Sequence, residues 1–183
     1  MRFDHHSILQ NFQFLKESIQ ALDESYFPYR TRDEILEEKN CLVEECKMDH
    51  AFKLLTLLEY EIRNDFELSI ASRHRDELSK IYSETCDKFR RGRSDYSRSR
   101  LQECRRIHLD ELFSAVSRFF KKQQDLFHQR FSLAKGHFNV FRHWYAHGRK
   151  GRQNPPVIPD PEDLFDILEE FSYKVLFRNR KAL

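Results

Sequence analysis

Apolar side chains recur at intervals of three and four residues along most of the chain, which places them on one face of an α-helix. Four such series predict helices over about residues 6 to 22, 51 to 82, 101 to 147 and 162 to 177. Phenylalanine is prominent in the third series, and we expect these rings in the core. The apolar positions are Ile8, Phe12, Leu15, Ile19 and Leu22; Leu54, Leu55, Leu58, Ile62, Phe66 and Ile70; Ile107, Leu112, Val116, Phe120, Phe127, Phe131, Phe138 and Phe141; and Leu164, Phe165, Leu168, Phe171, Val175 and Leu176.

Residues that break helices are rare, with 4 Gly and 5 Pro among 183 residues. Residues 31 to 34, TRDE, form a capping box that predicts the start of a charged helix reaching Lys47, with Asp49 capping the next helix. Within residues 101 to 147 we expect a break near Asp110 or around Gln123 and Gln124. The chain is therefore predicted to be all-α, a bundle of about five to seven long antiparallel helices with no sheet.

The length of the chain predicts one domain, residues 1 to 183, with a core of useful size. No apolar run approaches the length of a membrane span, and the start, MRFDHH, lacks the build of a secretory signal, so we expect a cytoplasmic protein. The 4 cysteines lack CxxC spacing and are predicted to be reduced thiols. We expect no metal and no cofactor.

Charge is segregated along the chain although the net charge is only +2. Residues 23 to 65 hold 12 acidic and 6 basic side chains, whereas residues 121 to 152 hold 8 basic and 1 acidic. Residues 90 to 100, RRGRSDYSRSR, form a basic loop that either is a solvated connection or contacts phosphates through Arg91 and Arg93. The basic segments are what binding to RNA requires.

Arginine and histidine come together where the aromatic-rich helix meets a glycine, in residues 139 to 149, NVFRHWYAHGR. A guanidinium holds a phosphate by two parallel hydrogen bonds, and an imidazole exchanges protons near neutral pH. RNA supplies its own nucleophile, the 2′-hydroxyl, so these two groups are enough to cleave it without metal and leave a 2′,3′-cyclic phosphate. Arg142 and His147 are the candidates for these roles.

A similar spacing joins Arg130 to His137, and chance alone produces a few such spacings in a chain rich in both residue types. We interpret the spacing of Arg130 and His137 as such a chance match. For Arg142 and His147 the alternative interpretation is a helix C-terminus whose cations lie near the negative end of the helix dipole.

The order of residues from Arg142 to His147, RHWYAH, resembles the signature of the HEPN superfamily of small all-helical domains. The following Gly148 and Arg149 extend the motif as in the ribonuclease-like branch, although that branch continues with two aromatic residues and this chain has Lys150 and Gly151. Glu59 and Arg63 match a Glu-x-x-x-Lys/Arg pair of some HEPN domains. The resemblance covers roughly residues 49 to 178, with residues 1 to 48 as N-terminal helices packing on that core.

Helix geometry limits how these residues share a site. Asn139, His143 and His147 lie on one face, but Arg142 and His147 lie about 140° apart around a straight helix. Either the helix unwinds near Gly148, or two copies face each other across a two-fold axis, which is the arrangement that the resemblance implies.

In that arrangement His143 would orient His147 or hold a phosphate oxygen, with Asn139 in support. Arg149, Lys150 and Arg152 would bind RNA together with Arg91 and Arg93. Glu59 and Arg63 would either support the site or form an ordinary surface ion pair.

The sequence therefore predicts a homodimeric, metal-independent endoribonuclease. The resemblance implies a role as a toxin or in antiviral defence, controlled by an antitoxin or sensor protein encoded nearby. One alternative is a non-catalytic HEPN-like module that binds RNA or a protein. Another is a helical interaction subunit whose basic loop only aids solubility.

Overall fold

The computed structural model describes residues 4–72, 76–91, 100–147 and 156–176, and its regular elements are helices. No strand occurs among these residues, which confirms the prediction of an all-α chain. The chain divides into two compact units, the first of Met1–Leu57 and Val140–Glu169, the second of Leu58–Asn139 and Glu170–Leu183. None of the described helices is long and apolar enough to cross a lipid bilayer.

Helix α1 (His5–Gln20) opens the first unit and is followed by a 3₁₀ turn, Glu24–Tyr26. The Lys39 ammonium donates hydrogen bonds to the carbonyl oxygens of Gln20 at 3.1 Å and of Leu22 at 2.6 Å. The last carbonyls of a helix lack partners within it, so this lysine caps the end of α1.

Helix α2 (Arg32–Ser72) is a single element of 41 residues. It starts at the predicted capping box, in which the Thr31 N–H donates to the Glu34 carboxylate at 2.7 Å and the Glu34 N–H donates to the Thr31 hydroxyl at 3.4 Å. The prediction that Asp49 caps a separate helix is wrong. No glycine or proline interrupts this stretch, and Asp49 pairs with Lys53 one turn later at 2.6 Å.

The second unit continues with α3 (Glu77–Arg91), α4 (Arg100–Cys104), α5 (Leu109–Lys122) and α6 (Phe127–His137). Helix α5 packs against α3 and α6. Phenylalanine rings fill this core, as the sequence predicted, with neighbouring centroids between 4.7 and 6.2 Å apart. These rings belong to Phe113, Phe120, Phe127, Phe131 and Phe138, all buried.

Both predicted breaks between residues 101 and 147 occur. Helix α5 starts at Leu109, immediately before Asp110, and it ends at Lys122. Gln124 has a φ of 57°, in the left-handed region, and this turns the chain between α5 and α6.

Cys86 of α3 and Cys104 of α4 form a disulfide with a Cα–Cα distance of 5.6 Å. The prediction of reduced thiols is therefore wrong for these two residues, because nothing in their spacing shows that the two helices bring them together. Cys41 and Cys46 are free, as predicted.

Two helices change from α to π geometry. Helix α6 continues through the π-helical residues Phe138–Arg142 into α7 (His143–Ala146). Helix α8 (Pro161–Phe171) continues as the π-helical residues Ser172–Leu176. The sequence predicted plain α-helix here, because the apolar spacing does not distinguish a single π turn from the α turns around it.

Candidate active site

Helix α7 is one turn long and directly follows the π-helical residues Phe138–Arg142. It ends at Ala146, and the N–H of the following residue, His147, donates to the carbonyl oxygen of His143 at 3.2 Å. Short π-helical segments are rare and often occur at functional sites. The backbone geometry therefore marks the same segment as the sequence motif does.

The imidazoles of His143 and His147 lie against each other, with ring centroids 4.3 Å apart and the planes tilted by 58°. Both side chains are exposed. The prediction that these two residues share one helix face is confirmed. Two adjacent imidazoles in contact with solvent can accept and donate protons.

Arg142 does not share that face. Its backbone is helical, with φ −59° and ψ −42°, so α-helical geometry carries His147 about 140° away from it around the axis. The Arg142 side chain is half-buried and its Nε lies in the interior. Because the His147 ring lies against His143, the helix does not unwind in a way that brings His147 round to Arg142.

The opposite side of α7 is fixed by aromatic packing within the first unit. The Tyr145 ring stacks on Phe52 of α2 with centroids 4.9 Å apart, and Phe141 lies 5.9 Å from Tyr145. Phe141 and Trp144 are buried. This packing orients the short helix so that His143 and His147 face solvent.

Asn139 is held within the second unit. Its side-chain amide donates a hydrogen bond to the Asp110 carboxylate at 2.8 Å, and Lys135 lies 3.2 Å from the same oxygen. The hydrogen bond from Asn139, helped by Lys135, holds the pKa of Asp110 below its usual value. This partner of Asn139 could not be predicted from the sequence, because Asp110 lies 29 residues earlier in the chain.

Glu59 and Arg63 form an ion pair one turn apart on α2, with the Arg63 Nε 3.3 Å from a Glu59 carboxylate oxygen. The Glu59 side chain is 18% exposed and that of Arg63 is 37% exposed. The pair predicted from their spacing is therefore formed, and its contribution to the site remains a proposal.

Arg91, the last residue of α3, is exposed. The other predicted RNA-binding residues, Arg93, Arg149, Lys150 and Arg152, lie outside the described residues.

Potential metal ligands gather at a different place. Among the residues that the structure describes, Asp4, His5 and His6 form the group of three with ligand atoms within 4.8 Å of one another. Within that part of the chain, no third ligand of this kind joins His143 and His147. The sequence prediction overlooked residues 4 to 6, although two adjacent histidines after an aspartate were a usable signal.

Comparison of the chain with protein-family models, curated proteins and solved structures gives no match.

Proposed function

We propose that this chain is a metal-independent endoribonuclease of the HEPN type. The observation that supports the proposal best is the exposed imidazole pair of His143 and His147 at the end of α7. Residues 148 to 152, GRKGR, follow the pair in the sequence and supply the positive charge that an RNA phosphate requires.

In the proposed reaction, the 2′-hydroxyl of RNA attacks the adjacent phosphorus. The new bond joins the 2′-oxygen to phosphorus, and the bond from phosphorus to the 5′-oxygen breaks. His147 either accepts the proton of the attacking hydroxyl or donates a proton to the leaving 5′-oxygen, and solvent water exchanges the other proton, while His143 orients His147 or holds a phosphate oxygen. Arg142 stabilises the negative charge that develops on the phosphate.

The Arg142 and His147 side chains point in different directions around the helix axis, which supports a two-fold dimer as the active form. One chain presents the two side chains about 140° apart, so they do not meet at one phosphate. In an isologous dimer, His147 of one chain faces Arg142 of the partner subunit. The motif of each chain therefore contributes His147 to one site and Arg142 to the other. Each of the two equivalent sites then contains the Arg142 guanidinium of one chain and the imidazole pair of the other.

In the cell, such an enzyme would act in the cytoplasm as a toxin or as an effector of antiviral defence. Its partners would be RNA and a regulatory antitoxin or sensor protein. This role follows from the HEPN resemblance, which rests on residues 142 to 149 and on Glu59 and Arg63.

Single-turnover cleavage of a labelled RNA at saturating enzyme, in the presence of a chelator, tests this function. We expect His147→Ala to slow cleavage by about 10²- to 10⁴-fold with little change in RNA affinity. Arg142→Lys keeps the charge but loses the two parallel hydrogen bonds that a planar guanidinium makes to a phosphate, so its cleavage should also be severely impaired. The product should carry a 2′,3′-cyclic phosphate.

His137→Ala and Arg130→Lys are the matched controls, because they change the other arginine and histidine of similar spacing. Both should cleave like the parent. Strict dependence on added magnesium or manganese would refute the mechanism, as would parent-like cleavage by both His147→Ala and Arg142→Lys.

The second candidate is a non-catalytic HEPN-like module that binds RNA or a protein. The half-buried side chain of Arg142 and its separation from His147 favour this function if the chain acts as a monomer. RNA binding that weakens with salt, without any cleavage, would select it.

A further inference from the structure

A second group of functional side chains lies at the start of α1, in the first unit. Asp4 caps the helix by accepting a hydrogen bond from the N–H of His6 at 3.2 Å. The ring centroids of His5 and His6 are 4.5 Å apart, and the Asp4 carboxylate lies 3.9 Å from the His5 Nδ1. One short segment therefore presents two imidazoles and a carboxylate together.

Helix α8 of the same unit completes this group from a distant part of the sequence. A Glu169 carboxylate oxygen lies 3.9 Å from the His6 Nε2. Both imidazoles also contact the Phe165 ring, one turn earlier on α8, with centroids 5.4 Å from His5 and 5.1 Å from His6. Phe165 gives the two imidazoles a common support, and Glu169 supplies a second carboxylate.

The distances approach those of a tetrahedral metal centre. In a zinc site with bonds of about 2.0 to 2.2 Å to nitrogen and oxygen, neighbouring ligand atoms are about 3.4 Å apart. The two carboxylate–imidazole distances of 3.9 Å exceed this by about half an ångström, and the ligand atoms of residues 4 to 6 already lie within 4.8 Å of one another. Residues 4 to 6 supply three ligands, and Glu169, already beside His6, would add the fourth when its side chain rotates toward them.

We propose that Asp4, His5, His6 and Glu169 bind a divalent transition metal of the zinc class. Two imidazoles and two carboxylates suit zinc, whereas magnesium and calcium prefer oxygen ligands alone. The positive end of the α1 dipole repels a cation here, and the negative charges of the two carboxylates offset this repulsion. Asp4 retains its capping bond because a carboxylate has lone pairs for both partners.

The bound metal would cross-link the start of α1 to α8 within the first unit. It takes no part in the proposed RNA cleavage, so the two proposals stand or fall separately. The Asp4, Glu169 and His6 side chains are each more than half exposed, which leaves the metal free access from solvent.

Titration of chelator-stripped protein without a histidine tag tests the site, with Co²⁺ as the spectroscopic probe. We expect the visible absorption of tetrahedral Co²⁺ to saturate at about one ion per chain and Zn²⁺ to displace it. Zn²⁺ at a hundredfold excess over its Kd should raise Tm by about 5–10 °C.

Glu169→Gln, which preserves the shape of the side chain, should weaken binding at least about tenfold. The double variant His5→Ala/His6→Ala should abolish it. The matched control is His143→Ala/His147→Ala, which removes the other imidazole pair and should titrate like the parent. The proposal is overturned if the parent shows no saturable tetrahedral absorption, if Glu169→Gln and His5→Ala/His6→Ala both bind like the parent, or if only the control variant loses binding.

Discussion

The first unit contains two pairs of neighbouring imidazoles that differ in their surroundings. His143 and His147 on α7 have ring centroids 4.3 Å apart, and His5 and His6 on α1 have centroids 4.5 Å apart. Carboxylates lie within 4 Å of each ring of the α1 pair. Among the described residues, no such ligand group includes the α7 pair.

This difference shows how neighbouring charge determines what an imidazole pair can do. Carboxylates favour a cation beside the rings, so the α1 pair is suited to bind a metal. A pair without them can approach an anionic phosphate, and the basic residues that follow it in the sequence favour such a ligand. Under the two proposals, one imidazole pair binds a metal and the other transfers protons.

The aromatic supports of the two pairs provide a reciprocal test. Tyr145→Ala removes the stack on Phe52 that orients α7, and a small displacement of catalytic groups costs on the order of 10²-fold in rate. We expect that loss in single-turnover cleavage, with Co²⁺ binding unchanged. Phe165→Ala should weaken Co²⁺ binding and leave cleavage at the parent rate.

Tyr145→Phe is the control for the first variant, because it keeps the stacked ring and should cleave like the parent. If Tyr145→Ala and Phe165→Ala each impair RNA cleavage and Co²⁺ binding equally, the two imidazole pairs do not have separate functions.

Asn139→Ala should have a smaller effect, chiefly on stability. The variant loses the hydrogen bond to Asp110, worth about 0.5 kcal/mol at this half-exposed carboxylate. Cleavage of bound RNA should fall much less than the ~10²-fold expected for loss of a proton-transferring group. A loss as large as that of His147→Ala would place Asn139 among the catalytic residues.

The stability effect of Asn139→Ala should depend on pH with a definite sign. The pKa of Asp110 is lower in the folded state than its unfolded value of about 3.9. Its carboxylate therefore contributes to the free energy of unfolding above that value, and the contribution disappears as pH falls through the folded pKa. Chemical unfolding at pH 7 and at about pH 2 to 3 measures this. A difference between parent and variant that persists at the lower pH would show that the Asp110 carboxylate is not its source.

Most of the fold could be predicted from the sequence, because apolar periodicity and helix caps are local signals. The capping box at Thr31, the phenylalanine core and the turn at Gln124 were all found in this way. The uninterrupted α2 and the Cys86–Cys104 disulfide were missed. Helix continuation past Asp49 was open to prediction, because residues 32 to 72 contain no glycine or proline. The disulfide was not, because it depends on how two helices pack.

For the candidate site, the residues were proposed from the sequence, but their partners could not be. The shared face of His143 and His147 follows from helical spacing and could be predicted. The π-helical turn before them, the stack of Tyr145 on Phe52 and the bond from Asn139 to Asp110 could not. Each depends on a residue distant in sequence or on a change of helix geometry without a local signal.

Complementation between two inactive variants tests the shared site most directly. Arg142→Ala and His147→Ala chains are mixed under conditions that allow subunits to exchange, and single-turnover cleavage is then measured. If each site takes Arg142 from one chain and His147 from the other, half of the randomly formed dimers carry one intact site, and roughly a quarter of the parent activity returns. Activity that stays at the level of the separate variants, although heterodimers have formed, would contradict the account.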